Sequence, residues 1–149
     1  MPQSLAQVIL NVVFSTLDRR PMIGANEIEG LHAYLATLVR DRSGECYRVG
    51  GVADHVHLAV LQPRTETIAD LVGHIKRSSS KWMHVEKGVK DFTWQKGYGA
   101  FSVSPSHLNQ LLDYIDHQEE HHQKVSFQDE YRKILKKYGV EFDERYLWD

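Results

Sequence analysis

The chain has 149 residues, 42% apolar and 26% charged, the size and composition of one folded domain; this excludes a mainly disordered chain and a pair of domains around a cleft. A single domain over residues 1–149 is expected. The formal net charge of −2 conceals an uneven distribution: residues 1–63 carry 5 Lys or Arg against 6 Asp or Glu, residues 64–100 carry 7 against 4, and residues 101–149 carry 6 against 10. The basic middle is open to two readings, an anionic-ligand surface or solvated cations on a helix. No apolar run reaches the roughly 18 residues of a membrane span. The N-terminal MPQSLAQVILNVVFST lacks the basic flank of a signal peptide, so no membrane and a cytoplasmic location are expected. The one cysteine, Cys46, has no partner for an internal disulfide and is given no role.

In chain order, residues 7–15 are short, β-branched and apolar, which predicts a buried strand. Asn26 is the expected N-cap of a helix in which Ile28, Leu31, Leu35, Leu38 and Val39 recur at helical spacing to about Arg40. Residues 45–52 and 55–61 are strand-like and separated only by Ala53 and Asp54, which predicts an antiparallel hairpin. Ile68, Leu71, Val72, Ile75, Ser79, Trp82 and Met83 follow a 3.6-residue period and make a second helix carrying Lys76, Arg77 and Lys81. A glycine-rich loop leads to a fourth strand over 98–103. Pro105 starts a third helix containing Leu108, Leu111, Leu112 and Ile115, and a fourth helix spans 127–138. The order predicts an α+β fold: a ferredoxin-like βαββαβ antiparallel sheet with helices on one face and a C-terminal helical extension. That fold hosts many activities, so function has to be read from a site.

His55 and His57 flank Val56 in GVADHVHLAV, and strand alternation puts both imidazoles on one face. Two neutral imidazoles side by side are half of a divalent-metal site, or simply a pair of partly exposed strand histidines. In LLDYIDHQEEHH, Tyr114 and Gln118 stand four residues apart, one helical turn, presenting a phenol and a carboxamide together. The bland alternative is a core-edge aromatic and a solvated amide. Lys76, Arg77 and Lys81, among Ser78, Ser79 and Ser80, are candidate phosphate contacts. Trp94 and Tyr98 are candidate stacking faces for unpaired bases, or ordinary loop packing.

These stretches together, NVVFSTLDRRPMI, DHVHL, IKRSSSKW, WQKGYGAFSVS and YIDHQ with its EEHH continuation, resemble in order and spacing the HUH single-tyrosine transposases of insertion sequences and their REP-associated relatives. The resemblance runs through most of the chain. It implies a metal-dependent enzyme that cleaves and rejoins single-stranded DNA with hairpin or palindromic ends. By position it implies His55, His57 and Gln118 as metal ligands and Tyr114 as the nucleophile that forms a 5′-phosphotyrosine link and frees a 3′-hydroxyl. Imidazole and amide-oxygen ligands with open positions suit Mg²⁺ or Mn²⁺. One phosphodiester replaces another, so no ATP is needed, and the chain has no Gly-x-x-x-x-Gly-Lys-Ser/Thr loop. The resemblance also implies a homodimer whose sites are shared between subunits.

A free phenol has a pKa near 10, so Tyr114 needs a proton acceptor. Asp54, beside the first histidine, and His117, His121 and His122, near Tyr114 and Gln118, are the candidates to accept the proton or contact phosphate, although solvated positions on a polar helix face account better for any one of those histidines. Three other functions compete. In a non-catalytic single-strand DNA or RNA binding module the histidines and Tyr114 would be incidental. A metal-dependent phosphodiesterase without a covalent intermediate would survive Tyr114→Phe. A REP-associated nuclease retained by its host would share the chemistry without moving an element.

Overall fold

In this computed structural model, which describes residues 2–149, alternating side chains along the first strand decide how the layers stack. Strand β1 (Ile9–Ser15) is buried along its whole length, so both of its faces are covered. Leu10, Val12 and Phe14 point into one core, and Val13 points into another. Helix α1 (Ile28–Asp41) and helix α2 (Ile68–Val85) close the first face. Leu31, Leu35, Leu38 and Val39 meet Val72, Ile75 and Met83 over Val56, Leu58 and Val60 of the sheet. Each such side chain contributes about 1.5–3 kcal/mol on burial, so this layer dominates the stability of the fold.

The sheet has the order β2-β3-β1-β4, formed by β2 (Glu45–Val52), β3 (His55–Leu61), β1 and β4 (Gly99–Val103). All neighbours are antiparallel, the βαββαβ arrangement expected from the sequence. The hairpin of β2 and β3 has the predicted boundaries, because two alternating runs with a two-residue connection admit little else. Helix α2 opens on Thr67, whose side chain accepts from the Asp70 amide at 3.0 Å. Helix α1 opens differently from the expectation: Asn26 lies in the preceding turn, Glu27 takes the N-cap position, and no side chain caps the helix.

The C-terminal extension is a third layer on the other face of the sheet. The single helix expected from Pro105 onward is interrupted. A 3-10 turn at Pro105–His107 leads into α3 (Leu108–Asp116), the chain leaves helical geometry at His117 (φ −107°, ψ 21°), and α4 (Gln118–His122) follows. Only Ile115 of the expected apolar stripe is fully buried; Leu108, Leu111 and Leu112 are half-buried. Helix α5 (Phe127–Lys137) then lays Phe127, Tyr131 and Leu135 over Val13 and Phe101, with Leu147 and Trp148 closing the edge. The acidic tail segment thus covers the chain's own core.

Two glycines allow this layer to approach. A Cβ at Gly50 would stand 2.5 Å from Ile115 Cγ2 and 2.6 Å from its carbonyl oxygen, and one at Gly99 would stand 2.7 Å from the Tyr131 hydroxyl. Gly50 is paired in register with His57, so the close approach of α3 to β2 occurs beside the histidine pair.

Candidate active site

The register of β3 sends Val56 into the α1/α2 core and leaves His55 and His57 on the side covered by α3, α4 and α5. The two imidazoles share a face, as strand alternation requires, but they are not the partly exposed pair of the bland reading: both are 0% exposed. Tyr114 and Gln118 come to the same place. The His57 and Tyr114 rings meet edge to face with centroids 5.7 Å apart, and Gln118, 1% exposed, sets its Oε1 at 3.0 Å from His55 Nε2. All four sequence-predicted site residues therefore converge, although Tyr114 and Gln118 lie on opposite sides of the break at His117.

Two further residues complete the cluster. Glu130, 3% exposed, projects from α5 into its centre, and His122 reaches it from the end of α4. Glu130 Oε1 lies 2.9 Å from His57 Nε2 and 3.5 Å from His55 Nε2. Glu130 Oε2 accepts hydrogen bonds from the Tyr114 hydroxyl and from Gln118 Nε2 (3.3 Å), and lies 3.1 Å from His122 Nε2. His121 stands at the rim, its Nε2 3.2 Å from the same oxygen and 3.4 Å from the Tyr114 hydroxyl. His117 is exposed and turned back on its own helix, donating from Nδ1 to the Asp113 carbonyl at 2.7 Å. One signal for Glu130 was available in the sequence: it interrupts the apolar stripe Phe127, Tyr131, Leu135 at helical spacing, where a carboxylate requires partners.

The electrostatics follow from burial around one carboxylate. Burial alone raises the pKa of Glu130, but hydrogen bonds with His122 and His57 outweigh it and hold the carboxyl far below its usual range. Burial outweighs Glu130 at His57 and keeps that ring neutral. At His122 burial opposes protonation, and the hydrogen bond and charge of Glu130 overcome it, raising the pKa. Burial, then the Glu130 charge, push the Tyr114 phenol well above its ordinary value.

The ligand atoms of His55, His57, His122 and Glu130 all lie within 4.8 Å of one another, a cluster able to hold a metal ion. The donor chemistry fits. His55 Nδ1 donates to Asp54 Oδ1 at 2.7 Å, which leaves Nε2 as the nitrogen that faces the oxygens of Gln118 and Glu130. A carboxylate fixing one ring nitrogen so that the other is free is the usual support of a metal-bound histidine.

Access is narrow. An open groove of about 640 Å³ runs past Tyr114, His117 and His121, and a second of about 290 Å³ borders Asp54, His122 and Phe127. The histidine pair is buried and lines neither groove.

The expected DNA-contact residues divide. Trp94 is a correction: it is 6% exposed, its Nε1 donates to Ser79 Oγ at 2.9 Å, and its ring packs edge-on to Phe14 and Phe92, each at 4.8 Å, leaving no face for a base. Lys76 is a second correction, because its ammonium is spent internally. Its Nζ donates to the carbonyl oxygens of Gln95, Lys96 and Gly97 at 2.9, 3.3 and 2.5 Å, and burial lowers its pKa to about 8. Arg77 and Lys81 are exposed on α2, across the sheet from the histidine pair, and Tyr98 is exposed in the loop that Lys76 anchors. Among the described residues no helix is long and apolar enough to cross a membrane.

Comparison with known proteins bears on the family and the fold. Residues 4–118 match the family model described as "Transposase IS200 like". Among solved structures, the chain is similar to a candidate transposase from Deinococcus radiodurans R1, with 20% identity and a TM-score of 0.62 over 79% of this chain and 98% of that one. It is also similar to a REP-associated tyrosine transposase bound to a REP hairpin, with 16% identity and a TM-score of 0.62 over 84% of this chain and 74% of that one. At these identities the two structures speak for the fold. No curated protein matches the chain. The family model spans both the histidine pair and the Tyr114–Gln118 segment, and the chain belongs to the IS200-like transposase family.

Proposed function

We propose that this chain cleaves and rejoins single-stranded DNA in a metal-dependent reaction, with Tyr114 as nucleophile and a 5′-phosphotyrosine link as intermediate. The observation that carries the reading is the convergence of Tyr114 and Gln118 on the buried pair His55 and His57. Incidental side chains of a passive binding module would have no reason to be desolvated together, since each buried polar group costs free energy unless paired. Hairpin DNA is the proposed substrate class, by analogy with the REP hairpin held by one of the similar structures.

His55, His57 and Gln118 would hold a divalent ion, Mg²⁺ or Mn²⁺ on the family's pattern, and that ion would polarise the scissile phosphate and offset developing negative charge. Asp54 keeps His55 in the tautomer whose Nε2 is free. The Tyr114 hydroxyl donates to Glu130, so the phenolic proton has a carboxylate oxygen already in place to receive it. With its pKa raised by burial and by that carboxylate, Tyr114 stays protonated until the charge of Glu130 is balanced, which keeps the nucleophile silent in the closed site. Attack by the Tyr114 oxygen would form the tyrosine–phosphorus bond as the phosphorus–O3′ bond of the leaving strand breaks, and the 3′-oxygen would leave as a hydroxyl with a proton from water, the phenolic proton having passed to Glu130. Return of a 3′-hydroxyl reverses the exchange, with no net loss of phosphodiester bonds.

The resemblance implies a homodimer. Because each chain's Tyr114 stands against its own His57, we assign each reaction to one subunit. Tyr98, Arg77 and Lys81 remain the proposed contacts for DNA outside the reacting phosphate. The test is cleavage of a labelled hairpin strand: chelation should abolish it, Mg²⁺ or Mn²⁺ should restore it, and His57→Ala should remove it from a folded protein. Cleavage that persists in His57→Ala would reject the assigned centre.

A further inference from the structure

We propose that Glu130 and His122, from the layer beyond the family-matched segment, are themselves ligands of the metal in the DNA-free protein. The site then has three imidazoles and a carboxylate and prefers Zn²⁺, Co²⁺ and Mn²⁺ to Mg²⁺. The inference deepens the proposed function and rests on its placement of a metal at His55 and His57.

The argument starts from which atoms can donate. His122 Nδ1 lies 2.7 Å from the Val125 carbonyl oxygen, which only accepts, so Nδ1 carries a proton. That turns Nε2 inward, where it meets Gln118 Oε1 at 3.0 Å and Glu130 Oε2 at 3.1 Å. His55 repeats the pattern, with Asp54 in the place of Val125. Two imidazole nitrogens thus face the oxygens of an amide and a carboxylate. Only a proton or a metal ion between them makes that arrangement favourable, and the pinned outer nitrogens are the supports that metal-bound histidines require. His57 completes the set through Nε2, 2.9 Å from Glu130 Oε1, and its Nδ1 has no other partner.

The donor types decide the ion. Mg²⁺ takes oxygen ligands in a strict octahedron and retains water, whereas imidazole-rich sites bind first-row transition ions, with affinity rising from Mn²⁺ through Co²⁺. A site buried beneath α4 and α5 offers little room for a shell of waters. The position of Glu130 adds a mechanical consequence: a metal bound there ties α5 to β3, so metal occupancy and docking of the C-terminal layer are one equilibrium.

The experiment measures binding without DNA. Metal-stripped wild type, Glu130→Gln, His122→Asn and His57→Ala are titrated with Mg²⁺, Mn²⁺ and Co²⁺ by calorimetry, the visible spectrum of the Co²⁺ form is recorded, and circular dichroism checks folding. Wild type should bind Co²⁺ at least about 100-fold more tightly than Mg²⁺. Glu130→Gln and His122→Asn should each weaken Co²⁺ binding by more than the roughly 10–100-fold that a supporting residue outside the coordination sphere is worth, and should change its spectrum. If Glu130→Gln does not fold, His122→Asn decides alone. Wild-type affinity and spectrum in the folded variants, with loss only in His57→Ala, would overturn the proposal and leave the histidine-pair metal standing. Failure of wild type to bind any of the three ions would overturn the proposal, and DNA cleavage in chelator would then overturn the metal-dependent reading as well.

Discussion

Lys76→Met is the substitution that best separates a fold contact from a DNA contact. Methionine keeps the aliphatic stem but removes the ammonium that donates to three carbonyl oxygens between Gln95 and Gly97 and lies 5.0 Å from the Phe14 ring centroid. One hydrogen bond from a charged group contributes about 1.5–3 kcal/mol net, and because burying the ammonium costs part of what the three bonds supply, the net loss is taken as about one bond's worth. A domain of this length loses roughly 2–4 °C of Tm per kcal/mol, so melting followed by circular dichroism should fall by about 3–12 °C. DNA binding, measured by fluorescence anisotropy across a salt series, should keep its wild-type slope. A lysine that neutralised a phosphate would instead lower the slope of log K against log salt by about 0.7 for a single strand and 0.9 for a duplex stem. An unchanged Tm with a shallower salt slope would refute the internal role of Lys76.

Arg77→Gln with Lys81→Gln should give the opposite pattern, leaving Tm within about 0.5 kcal/mol-equivalent of wild type and reducing the salt slope in the same anisotropy series. Trp94→Phe should destabilise the protein by about 1–3 kcal/mol in urea titration, because it leaves Ser79 Oγ without its donor and opens a gap beside Phe92; its DNA affinity should not change. His32 is held by burial at a pKa of about 4, below its unfolded value of 6.5, so the stability it contributes is present above pH 6.5 and is lost as pH falls toward 4, by up to about 1.4 kcal/mol per pH unit. Melting curves of His32→Gln should show a shallower loss over that window. Mixing His57→Ala with Tyr114→Phe, each inactive, should restore no cleavage even where heterodimers form; recovery would show that Tyr114 serves the partner's histidines.

The parts of the fold that were legible in the sequence are those fixed by local pattern. The β2–β3 hairpin, the shared face of His55 and His57, and the long period of α2 each follow from spacing alone. The break at His117 has no Gly or Pro to announce it, and it arises where α3 gives way to a short helix that turns Gln118 and His122 inward. Trp94 looked like a surface residue because a glycine-rich loop is usually exposed, and Lys76 because helix lysines are usually solvated; here that loop is folded against α2 and its carbonyls are capped by the lysine. Glu130 lies 73 residues from the histidine it meets, a pairing that no spacing rule encodes, and only its place in an apolar stripe marked it as unusual. The proton acceptor for Tyr114 could not be chosen among Asp54, His117, His121 and His122 for a related reason: the group that accepts its hydrogen bond, Glu130, is on another helix.

The most direct measurement of the central claim is the covalent link. Wild-type protein incubated with a hairpin strand of its flanking DNA and Mn²⁺, then denatured and digested, should yield a peptide carrying the 5′-phosphoryl end of the strand on Tyr114, and Tyr114→Phe should yield none while still binding metal. A linked peptide mapped to Tyr98 or Tyr131, or efficient cleavage by Tyr114→Phe with no adduct at all, would contradict the account.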